Sequence, residues 1–322
     1  MFSRNKINKG IKDPKYAFSA VKSRLNKKMG KVLYNNERGY EAVKNARSTL
    51  EILKIKDPDI GRSDIQNSKI LEFCEKGYTL LDNTHSPEIL TIIAKQIQKM
   101  MEDDRFSIIR TQDDNQIYSR MLNRCTKLIP EIKELVNDDI IEIMREYYGD
   151  KFKIKDISVW RNYHIPEKIL HNKEIYSSYW HNDDQADWYG NNDEDLKPTK
   201  IFISIMNITE KNGPLHIQSK ERSKDLLEMG FQSRYEYKLS KDVVEDPSHI
   251  TKHIGHPGTT IWANTRRCLH RAGNPDENKI RDTIQINFIK SDTPFDDNWI
   301  ERIEDSTVEM RDDRIKLEQE KN

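Results

Sequence analysis

The spacing of apolar residues changes near the middle of the chain. In the first half they recur at three and four positions. Residues 65–76 predict a helix that Gly77 ends, 78–81 a short strand, and Ser86-Pro87-Glu88 the start of a helix running to about Met101. Ser86 supplies the N-cap hydroxyl there, and Pro87 fits the first helical position. The stretch 129–148 predicts one further helix, stopped at Gly149. Beyond Lys151 the pattern turns to alternation and to Ile, Phe, Thr and Trp. Residues 152–163, 200–208, 259–263 and 280–289 predict strands. The turns between them carry Asn212-Gly213-Pro214, His256-Pro257-Gly258 and Gly273-Asn274-Pro275. Helices followed by a run of strands predict an α+β domain whose second half is an antiparallel barrel or sandwich.

Composition adds three points. With 322 residues and 35% hydrophobic content the chain is long enough for a full core, and 54 basic against 54 acidic residues cancel. That balance removes the self-repulsion that unfolds charge-rich chains. The cancellation is uneven, however. Residues 1–56 hold 15 Lys or Arg against 4 Asp or Glu, a surplus of 11 positive charges that the remainder offsets. Three well-separated cysteines, Cys74, Cys125 and Cys268, offer neither a disulfide framework nor a zinc ribbon and fit a reducing cytoplasm. No apolar run reaches the length of a membrane span, and the first ten residues are polar where a signal peptide would turn apolar.

Three regions follow: a basic, partly helical extension (1–56), a main domain (57–300) and a charged tail (301–322). In the extension, Tyr16, Phe18, Val21, Leu25, Met29, Val32 and Leu33 keep helical spacing, with Lys22, Arg24, Lys27, Lys28 and Lys31 between them. Such a helix packs on the main domain or lies on an anionic membrane surface. Nucleic acid is the weakest reading, because the aromatic-and-basic pattern of an RNA-binding sheet is absent. The predicted location is the cytoplasm, with peripheral membrane contact left open.

Among nine histidines, His181 stands out, because Asp183 follows two residues later and side chains at i and i+2 of an extended segment share a face. One imidazole pair and one carboxylate leave three adjacent positions of an octahedral ion open. His270, at a strand end beside Gly273, offers the second imidazole. Arg281, on the next strand, offers a planar, always-charged clamp for a carboxylate. Lys200 is the second basic candidate for that clamp. His216 is read as structural or pocket-lining, and His253 and His256, in a Pro-Gly turn, as solvated.

Together, Trp180-His181-Asn182-Asp183, the segment Asn212-Gly213-Pro214-Leu215-His216 and Leu269-His270-Arg271-Ala272-Gly273 with Arg281 resemble the phytanoyl-CoA dioxygenase family of Fe(II)- and 2-oxoglutarate-dependent oxygenases. Glu75-Lys76-Gly77-Tyr78 and Ser86-Pro87-Glu88 resemble that family's opening strand and helix, so the likeness spans roughly residues 63 to 290. It implies a double-stranded β-helix, a cupin-like jelly roll, with supporting helices that are mainly N-terminal. It also implies Fe(II) held by His181, Asp183 and His270, 2-oxoglutarate held by Arg281, O2 as cosubstrate, and hydroxylation of a C–H bond. Related halogenases lack the carboxylate, so Asp183 favours hydroxylation. Ala272 departs from the family, many members of which carry a hydroxyl there, and Thr283 is the candidate replacement. The substrate is a small or lipid-like molecule. Candidates to line its pocket are Trp160, Tyr163, Tyr179, Gln185, Trp188, Tyr189 and Trp262. The competing reading is a non-catalytic cupin-type binding or scaffold protein.

Overall fold

The computed structural model describes residues 66–81, 85–111, 117–122, 125–167, 178–183, 197–231, 239–296, 298–301 and 303, with backbone alone at 108–111. The basic extension, the charged tail apart from residues 301 and 303, and Asp184, Gln185, Trp188 and Tyr189 lie outside the described residues. No helix among those described is long and apolar enough to cross a membrane. All three cysteines are buried and none is in a disulfide.

Helix α1 (Ser68–Lys76) starts three residues later than its periodicity suggests, because the Asn67 side chain accepts the Lys69 N–H at 2.9 Å and caps it there. Gly77, at φ 84°, ends it with an N–H bond to the Phe73 carbonyl. Any Cβ at Gly77 would meet Cys268 Sγ at 2.5 Å, so the turn needs glycine twice over. Strand β1 (Tyr78–Leu81) and helix α2 (Pro87–Met100), capped by Ser86, follow as the sequence predicts. A hairpin of β2 (Ser107–Thr111) and β3 (Ile117–Leu122) comes next. The single helix expected at 129–148 is instead the short helix α3 (Cys125–Leu128), a 3-10 turn at Pro130–Leu135 and helix α4 (Asp138–Tyr148). The break falls at Asn137, whose side chain accepts the Ile140 N–H at 3.1 Å and starts a new helix.

Two antiparallel sheets make up the rest. The larger has the order β1-β8-β5-β10-β4-β3-β2, with β4 (Phe152–Tyr163), β5 (Thr199–Ser204), β8 (Thr260–Ala263) and β10 (Ile280–Lys290) at its centre. The smaller has the order β7-β6-β9, from β6 (Leu215–Gln218), β7 (Ile250–Lys252) and β9 (His270–Ala272). Helices α5 (Lys220–Glu228) and α6 (Lys241–Val244) lie between β6 and β7 in the chain.

Strand alternation gives the larger sheet two unlike faces. On one, Ile157, Val159, Ile201, Ile203, Trp262, Ile284 and Ile286 join Phe73, Ile93, Ile97, Ile140 and Met144 of the helices in the main core. Each fully buried side chain of this size contributes about 1.5–3 kcal/mol. On the other face, Phe202, Ile261 and Ala263 meet Leu215 and Ile217 of the smaller sheet. Tyr78 Oη lies 2.7 Å from Thr251 Oγ1 and ties β1 to β7. Other positions of that inner face are Lys200, Ser204, Ser158, Trp160, Asn162, Arg281, Thr283, Gln285 and Asn287, set side by side by the register of β5, β10 and β4. An apolar helix-covered face and a polar inner face therefore share one sheet.

Candidate metal centre

His181 and His270 are brought together by their backbones. Each donates its N–H to the other's carbonyl, at 3.0 and 2.9 Å, which makes them a hydrogen-bonded antiparallel pair with side chains on one side. The imidazole centroids are 4.3 Å apart. Asp183, two residues along, keeps the same side. Its N–H donates to the Thr265 carbonyl at 3.0 Å, and the Asn182 amide donates to the Arg266 carbonyl at 2.8 Å, so the segment is held at both residues.

The tautomers follow from the partners. His181 Nδ1 lies 2.6 Å from the Tyr179 carbonyl and His270 Nδ1 lies 3.1 Å from the Cys268 carbonyl. A carbonyl only accepts, so Nδ1 of each ring carries a proton, which leaves Nε2 as the nitrogen each ring turns to a ligand. Those Nε2 atoms lie 3.9 and 3.7 Å from the same oxygen, Oδ1 of Asp183, and the three ligand atoms all fall within 4.8 Å of one another. Asp183 Oδ2 faces the Lys200 ammonium at 2.6 Å. Burial alone would raise the Asp183 carboxyl. Lys200, then His270 and His181, outweigh it and hold the group well below the usual carboxylate range.

Arg281 is 7% exposed on the inner face of β10. Its guanidinium donates to the Gly213 carbonyl and, at 3.2 Å, to Asn162 Oδ1, while its Nε is buried without a partner. No acidic side chain pairs with it among the described residues, and burial pushes it down to about 10. The Asn212-Gly213-Pro214 motif builds its support. Asn212 closes its own turn by accepting from Thr209 and donates to the Ile280 carbonyl at 2.9 Å, next to Arg281. Gly213, at φ 61°, leads into β6, whose Ile217 pairs with His270.

The other sequence-derived candidates separate by face. Thr283 is half-buried on the inner face, opposite Ser204 on one side and Trp160 on the other. Trp160 is also half-buried, with its indole N–H on Ser158 Oγ at 2.9 Å. Trp262 lies on the other face, fully buried, stacked on Phe73 at 3.6 Å between centroids and edge-on to Tyr147. It is a core residue. Tyr163 also turns to the helices, where its hydroxyl donates to Glu102 at 2.7 Å. Tyr179 contributes its carbonyl to His181. His253 is 3% exposed, against the expectation of solvation, with its ring 3.0 Å from the Thr259 carbonyl. His216 is half-buried opposite Arg271 on β6, outside the donor set. Two contributors were missed as part of this arrangement: Asn162, and Lys200 as a partner of Asp183. The signal for Lys200 was a charged residue beside the apolar run Ile201-Phe202-Ile203, whereas Asn162 lies on a strand with too many polar residues to stand out.

No family model matches the chain, and no curated protein matches it. Solved structures do. A structure of EctD from S. alaskensis with 2-oxoglutarate and 5-hydroxyectoine is 16% identical, covering 73% of this chain and 81% of that one with a TM-score of 0.50. The apoform of the same enzyme gives 16%, 73%, 82% and 0.51. The non-heme alpha ketoglutarate dependent carbocyclase SnoK from nogalamycin biosynthesis gives 12%, 70%, 84% and 0.49. For the two EctD structures, at this identity, the likeness is one of fold.

Proposed function

We propose that this chain is an Fe(II)- and 2-oxoglutarate-dependent oxygenase that hydroxylates a C–H bond of a small molecule, using O2. The observation that carries the reading is the donor set. Two imidazoles have committed their Nδ1 protons to backbone carbonyls and turn both Nε2 atoms toward one carboxylate oxygen. That set suits a first-row ion and leaves three adjacent positions for other ligands. Arg281 fits the second half of the reading, as a buried cation with an unpartnered Nε and no acid paired with it among the described residues. The far carboxylate of 2-oxoglutarate would complete it through a bidentate, charge-assisted pair.

Bound here, iron with 2-oxoglutarate and O2 supplies C–H oxidation, the cosubstrate leaving as succinate and CO2. The chain's own residues supply geometry. His181, Asp183 and His270 fix the ion from two paired strands, and Arg281 orients the cosubstrate from the facing sheet. Thr283 and Trp160, next along the inner face, line the space beside it. Two facing antiparallel sheets with the site on their inner side support a double-stranded β-helix. The complete donor set speaks against a non-catalytic binding protein. Residues 57–300 form the oxygenase domain, with 1–56 and 301–322 as appendages.

The test is succinate formation by Fe(II)-loaded protein given 2-oxoglutarate and air, with His270→Ala as control. Equal succinate from both proteins, or none from either, would reject the reading.

A further inference from the structure

Lys200 has no part in the proposed chemistry above beyond its charge, yet at 2.6 Å it makes one of the two shortest contacts to the donor set. It sits second on β5, between Thr199 and Ile201, and pairs with Ala263 on one side and Asn287 on the other. Ile201 and Ile203 are committed to the helix-covered core, so alternation turns Lys200 inward. Its side chain is 15% exposed, and its ammonium lies 2.6 Å from Oδ2 of Asp183 while Oδ1 faces both imidazoles.

We propose that Lys200 is a positioning residue of the metal centre, holding Oδ2 of Asp183 so that the carboxylate offers the ion Oδ1 alone. This inference rests on the oxygenase reading and deepens it. The reason is coordination number. With one carboxylate oxygen and two imidazoles, three of six positions remain open, two for a chelating 2-oxo acid and one for O2. If both carboxylate oxygens reached the ion, only two would remain, and cosubstrate and O2 would compete for them. Lys200 also places a positive charge beside the dication. Holding the carboxylate therefore costs some metal affinity, the opposite of what a residue that merely supports the fold would do.

The experiment uses the full chain and Lys200→Met, which keeps an unbranched apolar stem and removes the charge. Three quantities are read: Mn(II) affinity, 2-oxoglutarate affinity of the Mn(II)-loaded protein, and the gap between the two carboxylate stretches in the Zn(II)-minus-apo infrared difference spectrum. That gap is wide for one bound oxygen and narrow for two. The expected result is Mn(II) affinity at or above wild type, 2-oxoglutarate affinity reduced at least tenfold, and a narrowed gap. Mn(II) and 2-oxoglutarate affinity falling together would make Lys200 a support of the fold and overturn the proposal. Loss of 2-oxoglutarate affinity with an unchanged gap would also overturn it, making Lys200 a direct contact of the cosubstrate. Lys200→Gln, too short to hold Oδ2 in the same place, carries the same test should the Met variant not fold. A wild-type protein that binds no Mn(II) would instead sink the metal-centre reading itself, a result distinct from the others.

Discussion

Replacing Arg281 by Met separates a ligand-binding cation from a structural one. The guanidinium is 7% exposed, and burial depresses it from an ordinary value near 12.5 to about 10. A depression of that size corresponds to about 3 kcal/mol of unfavourable charge burial. The sign is that of a base depressed on folding: the penalty is fully present below pH 10, including neutrality, and disappears only above it. A carboxylate bound against the guanidinium relieves it, and about 3 kcal/mol is about a hundredfold in affinity. In the Met variant the penalty vanishes together with the bonds to the Gly213 carbonyl and Asn162, each contributing about 1.5–3 kcal/mol as a bond to a charged group. The two changes oppose each other. The apo protein should therefore melt close to wild type, while 2-oxoglutarate affinity of the Mn(II)-loaded protein falls about a hundredfold and the cosubstrate's thermal stabilisation is lost. Calorimetric titration and thermal denaturation measure both. Wild-type 2-oxoglutarate affinity in Arg281→Met would refute the argument, because a buried cation awaiting a carboxylate cannot be dispensable for binding it.

Four further outcomes are expected. His181→Ala and His270→Ala should each abolish stoichiometric Mn(II) binding with an unchanged circular dichroism spectrum, and wild-type affinity in either removes that histidine from the donor set. Gly213→Ala would put a Cβ 2.4–2.6 Å from backbone atoms of Gly273, Asn274 and Pro275 at φ 61°, so it should destabilise by more than about 1 kcal/mol and weaken 2-oxoglutarate binding, both read by titration. Burial pushes His253 down to about 4, so the unfolded chain takes up the proton first; stability attributable to it is present above pH 6.5 and lost, by up to about 3 kcal/mol, as pH falls toward 4. Urea midpoints at pH 7 and 4.5 should therefore differ less in His253→Asn than in wild type. Trp262→Ala should cost about 3–5 kcal/mol in urea unfolding, yet Trp262→Phe should leave 2-oxoglutarate affinity unchanged, which a pocket residue would not.

What was legible in the sequence is what depends on near neighbours. The pairing of Asp183 with His181 follows from two-residue spacing, and the caps at Ser86 and Gly77 from single residues. The long strands β4 and β10 keep their alternation over 12 and 11 residues. Where signals compete, reading fails. Periodicity runs through Asn137 as though one helix continued, yet its cap bond outweighs the pattern. Helix α5 buries only Ser223, Leu226 and Leu227, too few to show in a charged stretch. In the β2–β3 hairpin Arg120 is buried, against its type, because Asp104 and Ser107 Oγ take its guanidinium at 2.6 and 2.9 Å.

Alternation also cannot say which face is the inner one, and that is where the site reading divides. Trp262 and Lys200 both sit near the donor set in the sheet, but a one-residue difference in parity sends the aromatic into the core and the cation to Asp183. Arg281 and Asp282 show the same division within one dipeptide. Both are buried, 7% and 6% exposed. Asp282 turns to the helix side, where Arg161 meets it with two bonds of 2.7 and 2.6 Å. Arg281 turns inward, where its acceptors among the described residues are a carbonyl and an amide, both neutral. Buried charges in a stable fold are paired or bind something that pairs them. The chain supplies the counter-charge for Asp282 itself. For Arg281 the described residues supply none, and under the proposed function the far carboxylate of 2-oxoglutarate would be that counter-charge.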